Sequence, residues 1–389
     1  MKLRDIVKVE LPTTHVGMYP RPMWYNYNIG DRGWIEMCSD RNFLQMYTDA
    51  VTVEMKDQEL AGFDIITDGC VRYDNNTDRG VSSWEANNIC YMGGARKVEG
   101  RPEGRTLIES IVGEKNARAA EKVMGRPELT DLWWWLIEDD LSEGKLGLWL
   151  ETAKLAMKLT EKPYKFSAPS AAMAAYDSIN RTGKNDRDVY FQLFKVQNRT
   201  LREIADAGCK IIQIDYPFGL AHWTAQFGDI SNEVWKDLVE AANDEIKGVN
   251  ANIWYHFCFG APPVFGIETP PHAYHMGSVF PHIVESKVDC IQSEAANTGG
   301  KYLAQELRSW KEYLPDKDYA VGAVTPYNLL ETPEDVRRII KTALDYVPPS
   351  KLAFSTDEGL AGNQFTNRAA AIGKMTILVN AVKEARSKL

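Results

Sequence analysis

The sequence predicts an α/β fold of the (β/α)8, TIM-barrel type with an elaborated insertion after the second strand. Three observations predict it. Eight short runs of apolar and β-branched residues follow one another along the chain. Most are nearly continuous in apolar residues rather than alternating, as in strands buried on both faces of a parallel sheet. Longer stretches with helical spacing separate them, and a final helix follows the final strand. The competing architecture is an open doubly wound sheet, but no GxGxxG or Walker motif supports one.

The strand runs are THVGMY (14–19), DIITDG (64–69), YKFSA (164–168), KIIQIDYP (210–217), NIWYHFCF (252–259), VDCIQSE (288–294), YAVGAVT (319–325) and LAFSTDE (352–358). The clearest helix between them is TPEDVRRIIKTALDYV. Thr332 suits the N-cap, Pro333 the first helical position and Asp335 the first turn. Val336, Ile339, Ile340, Ala343, Leu344 and Val347 then give it one apolar face. LREIADAGCK ends at Gly208, in C-cap position before the fourth strand, and NRAAAIGKMTILVNAVKEARSKL closes the chain as a helix.

One interval is too long for a plain strand–helix unit. Residues 1–389 are read as one barrel domain, with an insertion or lid at about 74–160. On the carboxyl-end side of a barrel such an insertion covers the active site. Its first part, 81–105, reads as an excursion with a hairpin turning near Gly100. Its second, LTDLWWWLIEDD, is read as helical. Trp133, Trp134 and Trp135 cannot all face one side of a helix, so core packing is expected for at least one.

The formal net charge of −9 disfavours nucleic acid and anionic membrane as partners. No apolar run is long enough to span a bilayer, and the first residues lack a signal-peptide core, which makes the cytoplasm the expected location. The six cysteines (38, 70, 90, 209, 258 and 290) form no CxxC pair and no disulfide framework. The partners expected are small molecules, and the sequence is compatible with a homo-oligomer.

A barrel builds its active site at the carboxyl ends of its strands. There the sequence places Asp68 and Cys70, Asp215 and Tyr216, His256 and Cys258, Glu294, and Asp357 and Glu358. Singly, each has an ordinary structural explanation, such as a helix cap or a small core residue. Together they ring one mouth. His256 and Cys258 are two apart, so both leave their strand on the same side. Imidazole and thiolate are preferred zinc ligands, and Glu294 and Glu358 can complete a four-donor shell. Zn²⁺ in such a shell can bind a substrate thiol as thiolate by lowering its pKa. Cys290 shares the parity of Glu294 but lies deeper and reads as core. His272, His275 and His282 in TPPHAYHMGSVFPHI read as a loop rather than a second metal site.

These landmarks together resemble the carboxyl-terminal catalytic barrel of the cobalamin-independent methionine synthase family, most closely its stand-alone, single-barrel members. HVGMYPRP is similar to the family's opening strand, GFDIITDGCVRYD to its G-x-D-x-x-x-(D/H)-G-E stretch, and IIQIDYP to its Q-I-D-E-P strand. YHFCFG resembles its H-x-C zinc strand, DCIQSE the strand bearing its glutamate ligand, and LAFSTDEGL its final strand. The resemblance implies a transferase in which zinc binds a thiol as thiolate, which attacks a methyl group carried by a methyltetrahydrofolate. It matches His256, Cys258 and Glu294 to metal ligands and Asp215 to the residue binding the substrate's amino group. Glu358 stands where the family has its second cysteine ligand. Cys70 stands in place of a glutamate that holds the ammonium group, Met18 in place of a serine facing the carboxylate, and Tyr216 in place of the glutamate of D-E-P. Met18, Asp68, Cys70, Asp215 and Tyr216 are the candidate substrate-binding set, and Asp215, His256 and Cys258 the candidate catalytic set. Losing these anchors removes charge-assisted bonds worth ~1.5–3 kcal/mol each. The expected activity is therefore zinc-dependent methyl or alkyl transfer to a thiol other than homocysteine. Methionine synthesis proper, epoxide opening by a thiol such as coenzyme M, and a non-catalytic binding barrel are the alternatives.

Overall fold

The computed structural model describes residues 1–25, 40–73, 88–123, 133–221, 230–258, 275–327, 330–361 and 367–389. Cys38, His272 and parts of the 74–160 interval lie outside them.

Six parallel strands form one sheet in chain order: Lys165–Pro169, Ile211–Asp215, Asn252–Phe257, Cys290–Ser293, Asp318–Gly322 and Leu352–Ser355. Two further segments close the ring. Thr13 bridges in parallel to Phe354, and Ile66 to Tyr164. The amides of Asp64 and Ile65 donate to the Thr13 carbonyl, so the first segment joins the second. With these two, the six strands become a closed barrel of eight. The first two runs are reduced to single bridges. Asp64 supports that seam from its side chain, accepting from Thr13 through both N–H (2.9 Å) and Oγ1 (2.8 Å) and pairing with Arg386 of the last helix.

Alternate side chains fill the interior. At the amino ends, Ile65, Ile211, Trp254, Cys290, Ala320 and Ala353 pack with Leu3 and Val7 around the short helix Leu3–Ile6. Cys290 is thus core. Above this plug the interior turns polar, with Lys165, Ser167, Gln213, His256 and Gln292 all buried. The helices pack their apolar faces on the outside. Pro333–Tyr346 buries Val336, Ile339, Ile340 and Ala343, and its Thr332 hydroxyl accepts from the Asp335 amide at 3.2 Å. Gly208 lies just past the end of helix Asp186–Asp206 with φ of +118°, a backbone shape glycine adopts without strain.

The interval between the second and third strands differs from the sequence expectation in two ways. No hairpin forms at Gly100. Strand Gly93–Glu99 pairs antiparallel with Trp133–Ser142, which pairs in parallel with Ser178–Asn180. A capping box between Thr106 and Glu109 starts a helix at Leu107, so the chain cannot return at once. The three tryptophans begin a strand and not a helix. Neighbouring strand residues face opposite sides, and both Trp134 and Trp135 are buried, with Arg101 stacked 5.0 Å over Trp134.

Candidate metal centre at the carboxyl ends of the strands

Register places the site. Asp215 lies opposite His256, and His256 opposite Gln292, on three adjacent strands. Gln292 donates through Nε2 to the Thr356 carbonyl at 3.0 Å, which turns its Oε1 toward His256 Nδ1. His256 therefore carries its proton on Nδ1, and Nε2 holds the lone pair. Cys258 immediately follows the strand Asn252–Phe257.

The Cys258 sulfur, a Glu294 oxygen and a Glu358 oxygen lie within 4.8 Å of one another, all three residues buried. They arrive from the fifth, sixth and eighth strands. His256 is not among the atoms that converge there. Asn297 Nδ2 holds one oxygen of Glu294 at 3.1 Å. Glu358 Oε1 is buried without a hydrogen-bond partner. Beside it Asp357 is also buried, and accepts from the amides of Ala295 (2.9 Å), Ala296 (3.0 Å) and Asn297 (2.5 Å). Burial pushes the pKa of Asp357 up against those three amides, and burial plus the neighbouring Asp357 pushes that of Glu358 up. Two glutamates and a thiol converge beside a third buried acid, and one of their carboxylate oxygens has no hydrogen-bond partner, a donor set whose chemistry suits a cation. Zinc fits this set of sulfur and oxygen donors.

Two tyrosines border the trio. The Tyr216 hydroxyl lies 2.8 Å from the Cys258 sulfur. Burial raises the pKa of Tyr327, and Glu358, Glu294, Asp357 and Cys258 raise it further. Both therefore stay protonated at neutral pH.

On the other side of the mouth the candidate substrate residues are tied into the scaffold. Asp68 accepts from Arg72 (3.2 Å), the Tyr164 hydroxyl (3.0 Å) and the Cys70 amide (3.0 Å). Arg72 is fully buried, stacked on Phe166 at 4.5 Å. Cys70 is buried, with burial pushing its thiol pKa up, and a Cβ on Gly17 would come within 3.0 Å of its sulfur. Met18 is half-buried, packed so closely that a Cβ on Gly359 would meet its own Cβ at 2.7 Å. Asp215 accepts from Gln213 Nε2 at 2.6 Å and Ser167 Oγ at 3.1 Å.

Residue-by-residue reading of the sequence overlooked Lys165, Gln213 and Gln292. Lys165 sits inside the barrel, donates to Gln213 Oε1 and lies 5.0 Å over the Trp254 ring. Burial pulls its pKa down to about 7 although Asp215 opposes this. The two glutamines had a signal: Gln213-Ile214-Asp215 and Gln292-Ser293-Glu294 both put a glutamine two residues before a strand-end acid, facing the same interior. Of the competing histidines, His275 Nε2 contacts Gln305 at 2.8 Å and His282 stacks on Trp235 at 5.0 Å. Among the described residues neither joins a metal-binding trio.

No protein-family model matches the chain. The methionine synthase of Saccharolobus solfataricus is 28% identical over 381 residues, covering 97% of this chain and 96% of the relative. The chain is similar to that methionine synthase over nearly its whole length. Because that relative is covered almost end to end, the match is to a chain of the same extent. Solved structures agree on the fold. The B12-independent methionine synthase of a Shewanella species, in complex with selenomethionine, superposes with a TM-score of 0.70 at 20% identity, covering 98% of this chain and 99% of that one. A methyltransferase from Methanosarcina mazei gives 0.53 at 12% identity, covering 97% and 94%. The TIM-barrel architecture of the methionine synthase relatives is the architecture found here. Among the described residues no helix is long and apolar enough to cross a membrane.

Proposed function

We propose that the protein is a zinc-dependent methyl or alkyl transferase acting on a thiol, with a substrate other than homocysteine. The observation that carries this reading is the convergence of Cys258, Glu294 and Glu358 within 4.8 Å around an unpartnered carboxylate oxygen. These three would hold the ion, and His256, whose ring atoms are not among those converging there, is the proposed fourth donor. Zinc, when bound, lowers the pKa of a thiol so that it reacts as thiolate at neutral pH. The kinship with methionine synthases and the methyltransferase fold neighbour support methyl transfer as the reaction class.

The chain's own residues do the rest. Gln292 fixes the ring and tautomer of His256. Asn297 orients Glu294. Gln213 and Ser167 hold Asp215 toward the mouth. Asp68 is engaged by Arg72 and Tyr164, and Cys70 and Met18 offer no charge, so the mouth is poor in groups to grip a free amino acid. A methyltetrahydrofolate is the donor class to test first. The interval 74–160 is proposed to cover the mouth, and the cytoplasm is the proposed location.

The kinship itself favours a second reading, methionine synthesis from homocysteine, in which Asp215 binds the ammonium group. Metal analysis and methyl-transfer assays separate the two. The proposed function expects one zinc per chain, lost on His256→Ala or Cys258→Ala, and faster transfer to small thiols without an amino group than to homocysteine. Complementation of a methionine auxotroph would favour the second reading. Metal-free protein whose activity survives chelation would remove both.

A further inference from the structure

We propose that Tyr216 tunes the metal centre by donating a hydrogen bond from its phenol hydroxyl to the Cys258 sulfur. The inference rests on the reading of Cys258, Glu294 and Glu358 as ligands. Its first support is distance: hydroxyl oxygen and sulfur lie 2.8 Å apart, with both residues buried. A ligating cysteine is a thiolate, which accepts hydrogen bonds but has none to give, so the phenol must be the donor of the pair.

The second support is the backbone. Tyr216 has φ of +56°, a left-handed conformation uncommon for a bulky residue. The conformation is held from both ends: the Tyr216 amide donates to the His256 carbonyl at 3.1 Å, and its carbonyl accepts from the Gly219 amide at 2.8 Å. Such strain persists where the surroundings over-determine it, and it clusters at functional sites. Here it places the ring edge-on to His256, with centroids 6.3 Å apart, and the hydroxyl on the sulfur of the next strand.

A hydrogen bond to a thiolate draws charge from the sulfur and leaves the metal more positive. Glu358 acts in the same direction, since a carboxylate is a harder and weaker electron donor than the thiolate found at that place in the family. Tyr216 and Glu358 thus combine to make a stronger Lewis acid than a shell of two unperturbed thiolates. Tyr216 acts through Cys258 and is a positioning residue.

Cobalt(II) loaded into the purified full chain reads this directly, because a cysteine ligand gives a sulfur-to-cobalt charge-transfer band in the near ultraviolet. Wild type is expected to show the band, and Cys258→Ser to lose it. Tyr216→Phe is expected to keep full cobalt uptake and shift the band to lower energy, since the sulfur regains charge. Tyr216→Met, which also lacks the hydroxyl, should shift it the same way. A band present in wild type and unmoved in both Tyr216 variants overturns the tuning role and leaves the centre standing. Loss of cobalt uptake in both variants also overturns it, because the tyrosine would then be needed to build the site. No band in wild type removes the centre and this inference together.

Discussion

Asp68 and Glu358 are both buried acids at strand ends on one barrel mouth, and their surroundings are opposite. Asp68 is met by Arg72, the Tyr164 hydroxyl and the Cys70 amide. Glu358 lies against Cys258 and a second acid, Asp357, and its own Oε1 is buried without a hydrogen-bond partner. A buried charge is costly unless paired. The contrast teaches that identical placement in a barrel does not assign a role. The partners do: Asp68 is already paired, whereas Glu358 keeps a carboxylate oxygen free of hydrogen bonds.

Breaking the metal side should have the largest effect. Cys258→Ala is expected to remove tight zinc binding and lower methyl transfer by ~10³-fold or more, ~4 kcal/mol of transition-state stabilisation. Metal content and rate, measured on the same preparation, check it. Next comes the paired side. Arg72→Met strands a buried carboxylate and should cost ~3–5 kcal/mol in denaturant unfolding, with zinc content per folded chain unchanged.

Lys165 sharpens the comparison from below, as a buried cation without a direct carboxylate bond. Its folded pKa is about 7, against 10.5 for an ordinary lysine. Between those values the unfolded chain holds a proton that the folded chain lacks, so this residue makes stability rise with pH, by up to ~1.4 kcal/mol per unit. Below about 7 both states are charged and the full burial penalty remains. Lys165→Met should remove that slope from unfolding curves taken between pH 7 and 9.5.

The smallest effect carries the sharpest sign. Burial raises the Glu358 pKa, so in zinc-free protein the folded carboxyl holds its proton longer than the unfolded one, and stability falls as pH rises above the ordinary carboxyl range. Glu358→Gln should therefore stabilise the chelated protein, on the order of 1 kcal/mol and more as pH increases. Asp68→Asn should destabilise it. Melting temperatures of the two variants moving in the same direction would dissolve the distinction.

Much of the barrel was legible because its strands are continuous apolar runs ending in polar residues, a pattern local enough to see in one sequence. His256 and Cys258 could be put on one side of a strand by parity alone. Glu294 and Glu358 could be added once the strand order was assumed, and three of these four converge. What stayed hidden depends on distant partners. That the scaffold holds Asp68 could not be read from the sequence, because Tyr164, one of its partners, lies 96 residues away. The run Trp133–Trp135 looked helical because its partner strand, Gly93–Glu99, is separated from it by two helices. Lys165 was passed over because a lysine at the start of an apolar run reads as a flank. Only the closed ring turns it inward.

The seam between Thr13 and Phe354 has a consequence for how the chain reaches its fold. Its two sides are separated by most of the sequence, and each is fastened by a single bridge and a few hydrogen bonds. Contacts that distant form late and slowly. Until residues 352–355 emerge from the ribosome, the strand at Asp318–Gly322 has an open edge, and the opening segment has no neighbour on one flank. Unpaired edges of this kind template aggregation. The barrel keeps those edges open until the strand at 352–355 has paired and Arg386 has clasped Asp64.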